Sequence, residues 1–495
     1  MQKCSYHPLE ASTQYTMKVA MHAIKPTTAN QDQSRDQADP APLWSRQAIL
    51  SSAYINRTTT GIQDHPEPVA GPLSGVGFAV KDNIHTCDLA TTAGSDYLRY
   101  HQPARDAAVV HQLRAAGGHI VGKTNMHELG LGITSDNAAF GPARNPFNPL
   151  LSAGGSSGGS AIAVAMGDVP FALGTDTGGS ARIPAAYCGI YGFRPTTQRY
   201  SDRGLIRVSW TRDTIGILAN SLRWIRTVDR LLTGQAPLAA PQLQDIRLGV
   251  CPELFQGLHP EIARISQDAL HQLSDNGVQL IEIAPAFLRE RSFEAGFPII
   301  DFETDHLLSS YLNRLEQPIS LKAFASTVLS PDVRTILENL IRRPVSGMRY
   351  DSALDQRSAL QVTYEGLLSD NKLDALVLPA TTRMPPRLGN TTSSPLSHSN
   401  LLKEVVENAT LATIVASPSL SLPVGLSTNG LPVGLMLDGP TGHDGHLLAV
   451  SAAVGQVLAR REPLTAGMPR NEAVPSATRA DHRDRPTAQP DEVPC

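Results

Sequence analysis

The sequence predicts an α/β fold, and two observations point to it. Short apolar runs of strand length alternate with windows of helical spacing along most of the chain, the pattern of a sheet joined by helices. The 495 residues are 41% hydrophobic and 18% charged. That is enough apolar content for a large core, and it excludes wholesale disorder.

The elements follow in chain order. Residues 1–42 are polar with no sustained period and read as a loose N-terminal arm. Val76–Val80 and His119–Val121 read as strands. Between them Asp106–Ala116 has helical spacing and ends on Gly117-Gly118, a C-cap signal. Ala161–Met166 follows a Gly/Ser loop as a helix of small residues, and Leu222–Leu232 is an amphipathic helix. Ile246–Val250 and Val278–Ile283 are strand-like and flank the helical window Pro260–Leu273. Residues from about 285 to 370 are more helical and less patterned, and read as a cover over the sheet. Leu373–Pro379 and Leu420–Leu426 complete the strands. From Ala466 onward Pro469, Pro475, Pro486, Pro490 and Pro494 lie among charges, too little apolar surface to offset ordering entropy. The expected organisation is an arm over 1–42, one domain over 43–465 and a disordered tail over 466–495. No internal repeat is present.

Bulk charge and cysteine usage exclude several function classes. Lys plus Arg is 42 against 46 for Asp plus Glu, a net −4 with His neutral, whereas a phosphate-neutralising domain is strongly basic. No apolar run approaches the ~18–20 residues of a membrane span. Cys4, Cys87, Cys188, Cys251 and Cys495 form no C-x-x-C pair, which argues against a disulfide framework or a zinc ribbon. His127-Glu128 lacks the second His of a zincin, since Leu131 stands there. The expectation is a chain without metal or organic cofactor, acting on neither nucleic acid nor membrane. With no apolar leader at the N-terminus, its expected place is the cytoplasm.

Three segments concentrate chemistry. Gly75–Ile84 (GVGFAVKDNI) is an apolar strand running into Lys81; Ala153–Ser160 (AGGSSGGS) precedes the small-residue helix; Gly174–Pro184 (GTDTGGSARIP) follows. Alone each is weak. Gly154-x-Ser156-x-Gly158 and Gly155-x-Ser157-x-Gly159 both fit a nucleophile-elbow string, as any Gly/Ser loop would. Together they make a site. A serine needs a base, and a lysine serves if burial lowers its pKa from near 10.4 by a few units. The apolar Phe78-Ala79-Val80 approach supplies burial, and a serine of the Gly/Ser loop can relay the proton. Thr177-Gly178-Gly179-Ser180 lets backbone N–H groups crowd an acyl oxygen as an oxyanion hole.

These segments resemble the amidase signature family of Ser–Ser–Lys amide hydrolases. Residues 154–196 are similar to its defining segment, Gly71–Ile84 to its lysine motif, and 373–382 and 419–440 to its C-terminal strands. The resemblance implies a single large domain with a mixed, twisted β-sheet flanked by helices on both faces. It implies Lys81 as base, Ser156 as the bridging serine of a cis peptide, and Ser180 as nucleophile. It also implies Thr177, Gly178 and Gly179 at the oxyanion hole and neither metal nor cofactor. Ser157, Asp176 and Arg182 read as residues that fix the loop, and Cys188 as a buried small apolar side chain. Asn125–Ser135, Arg144–Pro149 and Gly192–Thr196 resemble the indole-3-acetamide and mandelamide hydrolases, and Ser209–Thr214 and Ser330–Arg334 resemble the indoleacetamide type in particular. By that resemblance Met126, Ile133, Thr134 and Ser135 are candidate substrate-binding residues, in a mostly apolar pocket.

The sequence departs from the family in places. Trp44–Ile55 is at most one degenerate N-terminal helix, and Ala416-Ser417-Pro418-Ser419 replaces Gly-Ile-Pro-Gly, a change expected at the pocket rim. The implied activity is hydrolysis of a primary aryl or arylalkyl carboxamide to carboxylate and ammonia, by a monomer or homodimer. Alternatives are the amidase subunit of a tRNA-dependent amidotransferase, an amidase for another amide or carbamate linkage, and a non-catalytic scaffold.

Overall fold

The computed structural model describes residues 44–58, 70–284, 286–389 and 395–458. The expected N-terminal arm and C-terminal tail lie outside these residues. Eleven strands form one mixed sheet: β1 (Tyr54–Arg57), β2 (Gly77–Lys81), β3 (His119–Thr124), β4 (Phe171–Asp176), β5 (Tyr191–Arg194), β6 (Thr214–Ala219), β7 (Arg247–Val250), β8 (Gln279–Glu282), β9 (Ala375–Pro379), β10 (Ser419–Leu426) and β11 (Pro432–Asp438). Their order is β1-β3-β2-β4-β6-β5-β10-β11-β9-β7-β8. The β2–β3, β2–β4, β7–β9 and β7–β8 pairs are parallel, and the others are antiparallel.

The sheet is buried on both faces, and alternate residues reach opposite cores as strand geometry requires. Phe78 and Val80 of β2 join Phe171 and Leu173 of β4 in one core, together with Val110, Leu113, Ile225, Val228 and Leu448 from helices. The Phe78 and Phe171 rings stack with centroids 5.4 Å apart. Ala79, Ala172 and Leu218 face the other way, onto Ala161, Ile162 and Ala165. Small strand residues there let the helix Gly158–Ala165 lie close, and every residue of that helix is buried. At Gly159 the approach leaves no room for a side chain, because a Cβ would stand 2.3 Å from the Ala53 carbonyl oxygen.

Local signals set the ends of elements. The helix Ala108–Ala115 connects parallel β2 and β3, and Gly117 closes it at φ +94°. Gly118 N–H bonds to Leu113 O and Gly117 N–H to Arg114 O, the paired bonds of a Schellman cap. Trp44–Ile55 is not one helix: Arg46–Ser51 is helical and Tyr54 already opens β1.

Four helices, Leu288–Leu312, Leu321–Ala325, Pro331–Arg342 and Gly347–Asp370, run between β8 and β9. Leu308, Leu312, Phe324, Val333 and Leu337 form a separate small core with Ala93, Leu98 and Leu129. The loops that follow β2 and β3 are thereby held under these helices. Because β2 and β4 are parallel neighbours, Lys81 and Asp176 emerge at the same edge of the sheet, the crevice outside the carboxyl ends of strands.

Candidate active site

Lys81 is the last residue of β2 and is fully buried. Its Nζ donates to Ser156 Oγ and to Thr175 Oγ1, each at 2.7 Å. Asn83 Nδ2 donates to the same threonine oxygen at 3.3 Å. Burial pushes the Lys81 ammonium down to about 7, against the partial pull of the Asp176 and Asp213 carboxylates. The adjoining carboxylate does not undo this, because Asp82 is paired with buried Lys123 at 2.9 Å.

Ser156 and Ser157 lie at the entry of the helix Gly158–Ala165, and the Gly155–Ser156 peptide is cis. Backbone and hydroxyl contacts pin the loop. Ser157 Oγ donates to Thr175 O at 3.2 Å, Ser157 N–H to Ser180 O at 3.1 Å, and His127 N–H to Ser156 O at 3.2 Å. The first two tie the Gly/Ser loop directly to β4 and to the Ser180 turn.

The turn after β4 is organised by Asp176. Its Oδ1 accepts from Gly179 N–H and Arg182 Nη2, both at 3.0 Å. Oδ2 accepts from Ala181 N–H at 3.1 Å and Arg182 Nε at 3.0 Å. Burial would raise this carboxyl, but the Arg182 and Arg194 guanidiniums hold it well below the usual carboxylate range. The Gly179 N–H, expected at an oxyanion hole, donates to Asp176 Oδ1. Gly179 contributes its backbone instead: φ is +109°, and a Cβ would stand 2.6 Å from Ala409 Cβ. The N–H groups of Thr177, Gly178 and Ser180 donate to no described residue. Thr177 Oγ1 donates to Asp213 Oδ1 at 2.5 Å and Arg212 Nε to Thr177 O at 3.0 Å, fixing the turn from its outer side. The Ser180 hydroxyl has no hydrogen-bond partner among the described residues. It opens on a cavity of about 180 Å³.

Apolar side chains make most of that cavity, including Leu131, Phe293, Phe297, Ile336 and Leu402. Of the four residues expected to bind substrate, Ile133 lines it; Met126, Thr134 and Ser135 do not. Met126 lies behind Gly130, where a Cβ would be 3.9 Å from its Cε. Ser135 braces the Gly/Ser loop, donating to Ser156 O at 3.3 Å and accepting from Gly158 N–H at 3.1 Å. Thr134 Oγ1 lies 3.4 Å from His127 Nδ1, and its carbonyl accepts from Ser152 Oγ at 2.6 Å.

Thr175, Arg212, Asp213 and Asp301 have no role in the sequence analysis, and the fold brings all four to this region. Thr175 lies inside the Gly174–Pro184 motif and Arg212-Asp213 inside Ser209–Thr214, so motif membership is the available signal; Asp301 lies in no motif. The Ala416–Ser419 departure does not reach the cavity rim. Ser419 Oγ accepts from Arg182 Nη1 at 3.1 Å and donates to Asp438 Oδ1 at 2.5 Å, bracing the same arginine that binds Asp176. Cys188 is buried. Among the described residues one group, Cys87, Asp88 and Asp106, has ligand atoms close enough for a cation. Arg114 already pairs with both of its carboxylates, at 2.7 and 3.3 Å.

The chain is similar along most of its length to known proteins. Mandelamide hydrolase of Pseudomonas putida is 37% identical over 406 residues, 79% of each chain. Indoleacetamide hydrolase of Agrobacterium vitis is 35% identical over 419 residues, 83% of this chain and 90% of that one. A crystal structure of an amidase superposes with a TM-score of 0.68 at 31% identity, covering 79% of this chain and 86% of that one. The substrate complex of 6-aminohexanoate cyclic dimer hydrolase gives a TM-score of 0.73 at 25% identity, covering 85% and 96%. No helix among the described residues is long and apolar enough to cross a membrane. The amidase family model matches residues 45–448, which takes in all eleven strands. The chain belongs to the amidase signature family and is a hydrolase of amide C–N bonds.

Proposed function

We propose that the chain hydrolyses primary carboxamides with an aryl or arylalkyl acyl group, such as indole-3-acetamide, to the carboxylate and ammonia. The observation that carries this reading is the 2.7 Å hydrogen bond between buried Lys81 and Ser156, next to Ser180 on an apolar cavity. Ser180 Oγ attacks the carboxamide carbon. Its proton passes to Ser156 Oγ, and the Ser156 proton passes to neutral Lys81. The N–H groups of Thr177, Gly178 and Ser180 receive the oxyanion. Collapse of the adduct breaks the C–N bond as the proton returns through Ser156 to the departing nitrogen, which leaves as ammonia. Water then attacks the Ser180 ester with the same relay as base, releasing the acid and restoring Ser180. None of these steps calls for a metal or an organic cofactor.

Two lines of support favour this substrate class. The cavity walls are mainly hydrocarbon and aromatic, and most of their polar side chains are hydrogen-bonded within the fold. The relatives at 35–37% identity are named for mandelamide and indoleacetamide. We place the reaction in the cytoplasm and in a free-standing monomer or homodimer. The test is ammonia release by the purified chain from indole-3-acetamide, phenylacetamide, mandelamide, benzamide and short aliphatic amides. Release is expected from the aryl acetamides first, with Ser180→Ala falling to background. Turnover retained in Ser180→Ala would sink the mechanism, and silence across the panel would sink the substrate class.

A further inference from the structure

Six polar side chains line the cavity beside Ser180: Thr177, Ser180, Arg212, Asp301, Thr304 and Thr410. Four of them are committed elsewhere. Thr177 donates to Asp213, and Arg212 holds Thr177 O, Gly296 O and Thr413 Oγ1. Thr304 donates to Val208 O and Thr410 to Val406 O, each at 2.9 Å. Ser180 is the nucleophile of the reading above. Asp301 remains, and its carboxylate has neither a hydrogen bond nor an ion pair with any described residue.

Its position is built into the sequence. On the helix Leu288–Leu312 the cavity face is Phe293, Gly296, Phe297, Ile300, Asp301 and Thr304. That is the i, i+3, i+4, i+7, i+8, i+11 stripe of a helix turned toward an apolar environment. A carboxylate on such a stripe is destabilised until a donor reaches it. Burial accordingly pushes Asp301 up to about 6, with Arg349 and Arg212 opposing. Arg212 links Thr177 O to Gly296 O, so Gly296 marks the level of the oxyanion turn on this helix. Asp301 lies five residues further, about 7.5 Å along the helix axis at 1.5 Å per residue.

We infer that Asp301 is a specificity-determining residue, selecting primary amides whose acyl group carries an N–H donor that bonds its carboxylate while the carboxamide lies on Ser180. The assignment rests on the amidase reading and refines its substrate class. The donor is a ring N–H or an alkylammonium on an aryl acetamide, and the chemistry that Asp301 recognises is common to both.

The test is kcat/KM on two matched pairs, indole-3-acetamide with benzofuran-3-acetamide, and 4-(aminomethyl)phenylacetamide with 4-ethylphenylacetamide. The wild-type chain should favour the donor-bearing member of at least one pair by about ten- to a hundred-fold, the range for a hydrogen bond to a charged acceptor. Asp301→Leu should bring that ratio close to one, and Asp301→Asn, which keeps an acceptor without the charge, should fall between. Each ratio is taken within one preparation, so a reduced folded fraction cannot imitate the result. Which pair responds tells a ring N–H from an ammonium. A wild-type ratio near one in both pairs, or a ratio that neither substitution moves, overturns the assignment and leaves amide hydrolysis standing. Absence of ammonia from all four amides and from phenylacetamide overturns the aryl-acetamide substrate class and the assignment with it.

Discussion

Neutralising Lys81 is the step on which the proposed chemistry depends, and pH is its direct perturbation. Its ammonium falls from an ordinary 10.5 to about 7, chiefly by burial. At about 1.4 kcal/mol per pKa unit, the charged form is disfavoured by about 5 kcal/mol relative to the neutral one. At pH 7 about half of the molecules then hold a neutral amine, against roughly one in three thousand at the ordinary pKa. Burial thus multiplies the available base by about a thousand-fold at neutral pH. The assay is kcat/KM for phenylacetamide from pH 5 to 10, a substrate that does not itself titrate there. kcat/KM should rise about tenfold per pH unit at the acid end, pass its midpoint near pH 7 and level off above about pH 8. A flat profile, or a midpoint above pH 9, would refute a burial-activated lysine.

The same displacement has a sign in stability. Lys81 binds its proton less tightly in the folded chain than in the unfolded one, so between pH 7 and about 10.4 the unfolded state holds the extra proton. Unfolding free energy should therefore rise with pH through that window by up to about 1.4 kcal/mol per unit, and stay level below it. Lys81→Met removes the group, so the wild-type-minus-variant difference isolates it from other titrations. A difference that does not vary with pH would mean the amine is solvated in the folded chain.

Two substitutions test the oxyanion turn. Gly179→Ala places a Cβ 2.6 Å from Ala409 Cβ at a φ of +109°. It should cost about 1–3 kcal/mol in urea unfolding and lower kcat by about a hundred-fold as the donors shift, and wild-type kcat would mean the turn is not where charge develops. Asp176→Asn leaves the buried Arg182 and Arg194 guanidiniums without their carboxylate, a loss of about 3–5 kcal/mol read by urea unfolding. Because Asp176 pulls the Lys81 pKa upward, the acid limb of the Asp176→Asn profile should also move to lower pH; an upward shift would contradict the assigned field.

How much of this was legible in the sequence depends on the kind of signal each part leaves. Strands with one run of apolar residues, such as Arg247–Val250 and Ala375–Pro379, stand out by composition. Phe171–Asp176 does not: every residue is buried and the run ends in Gly-Thr-Asp, so neither alternation nor hydrophobicity marks it as a strand. Lys81, Ser156 and Ser180 are conspicuous because bare glycines and hydroxyls gather around two of them and an apolar strand leads to the third. The cavity wall is different in kind. Phe293, Phe297, Ile300 and Leu340 carry the same helical period whether they face a core or a ligand. Periodicity says that a face is apolar; it does not say what the face meets. Met126, Thr134 and Ser135 are pocket candidates by family resemblance, yet none of them lines the cavity, and the Ser135 side chain braces the Gly/Ser loop. A residue bound for a pocket becomes visible only where it breaks the period's own rule. Asp301 is such a break, a carboxylate on a stripe of Phe, Gly and Ile, and the absence of a hydrogen-bond or ion-pair partner for it among the described residues turns a sequence oddity into a chemical question.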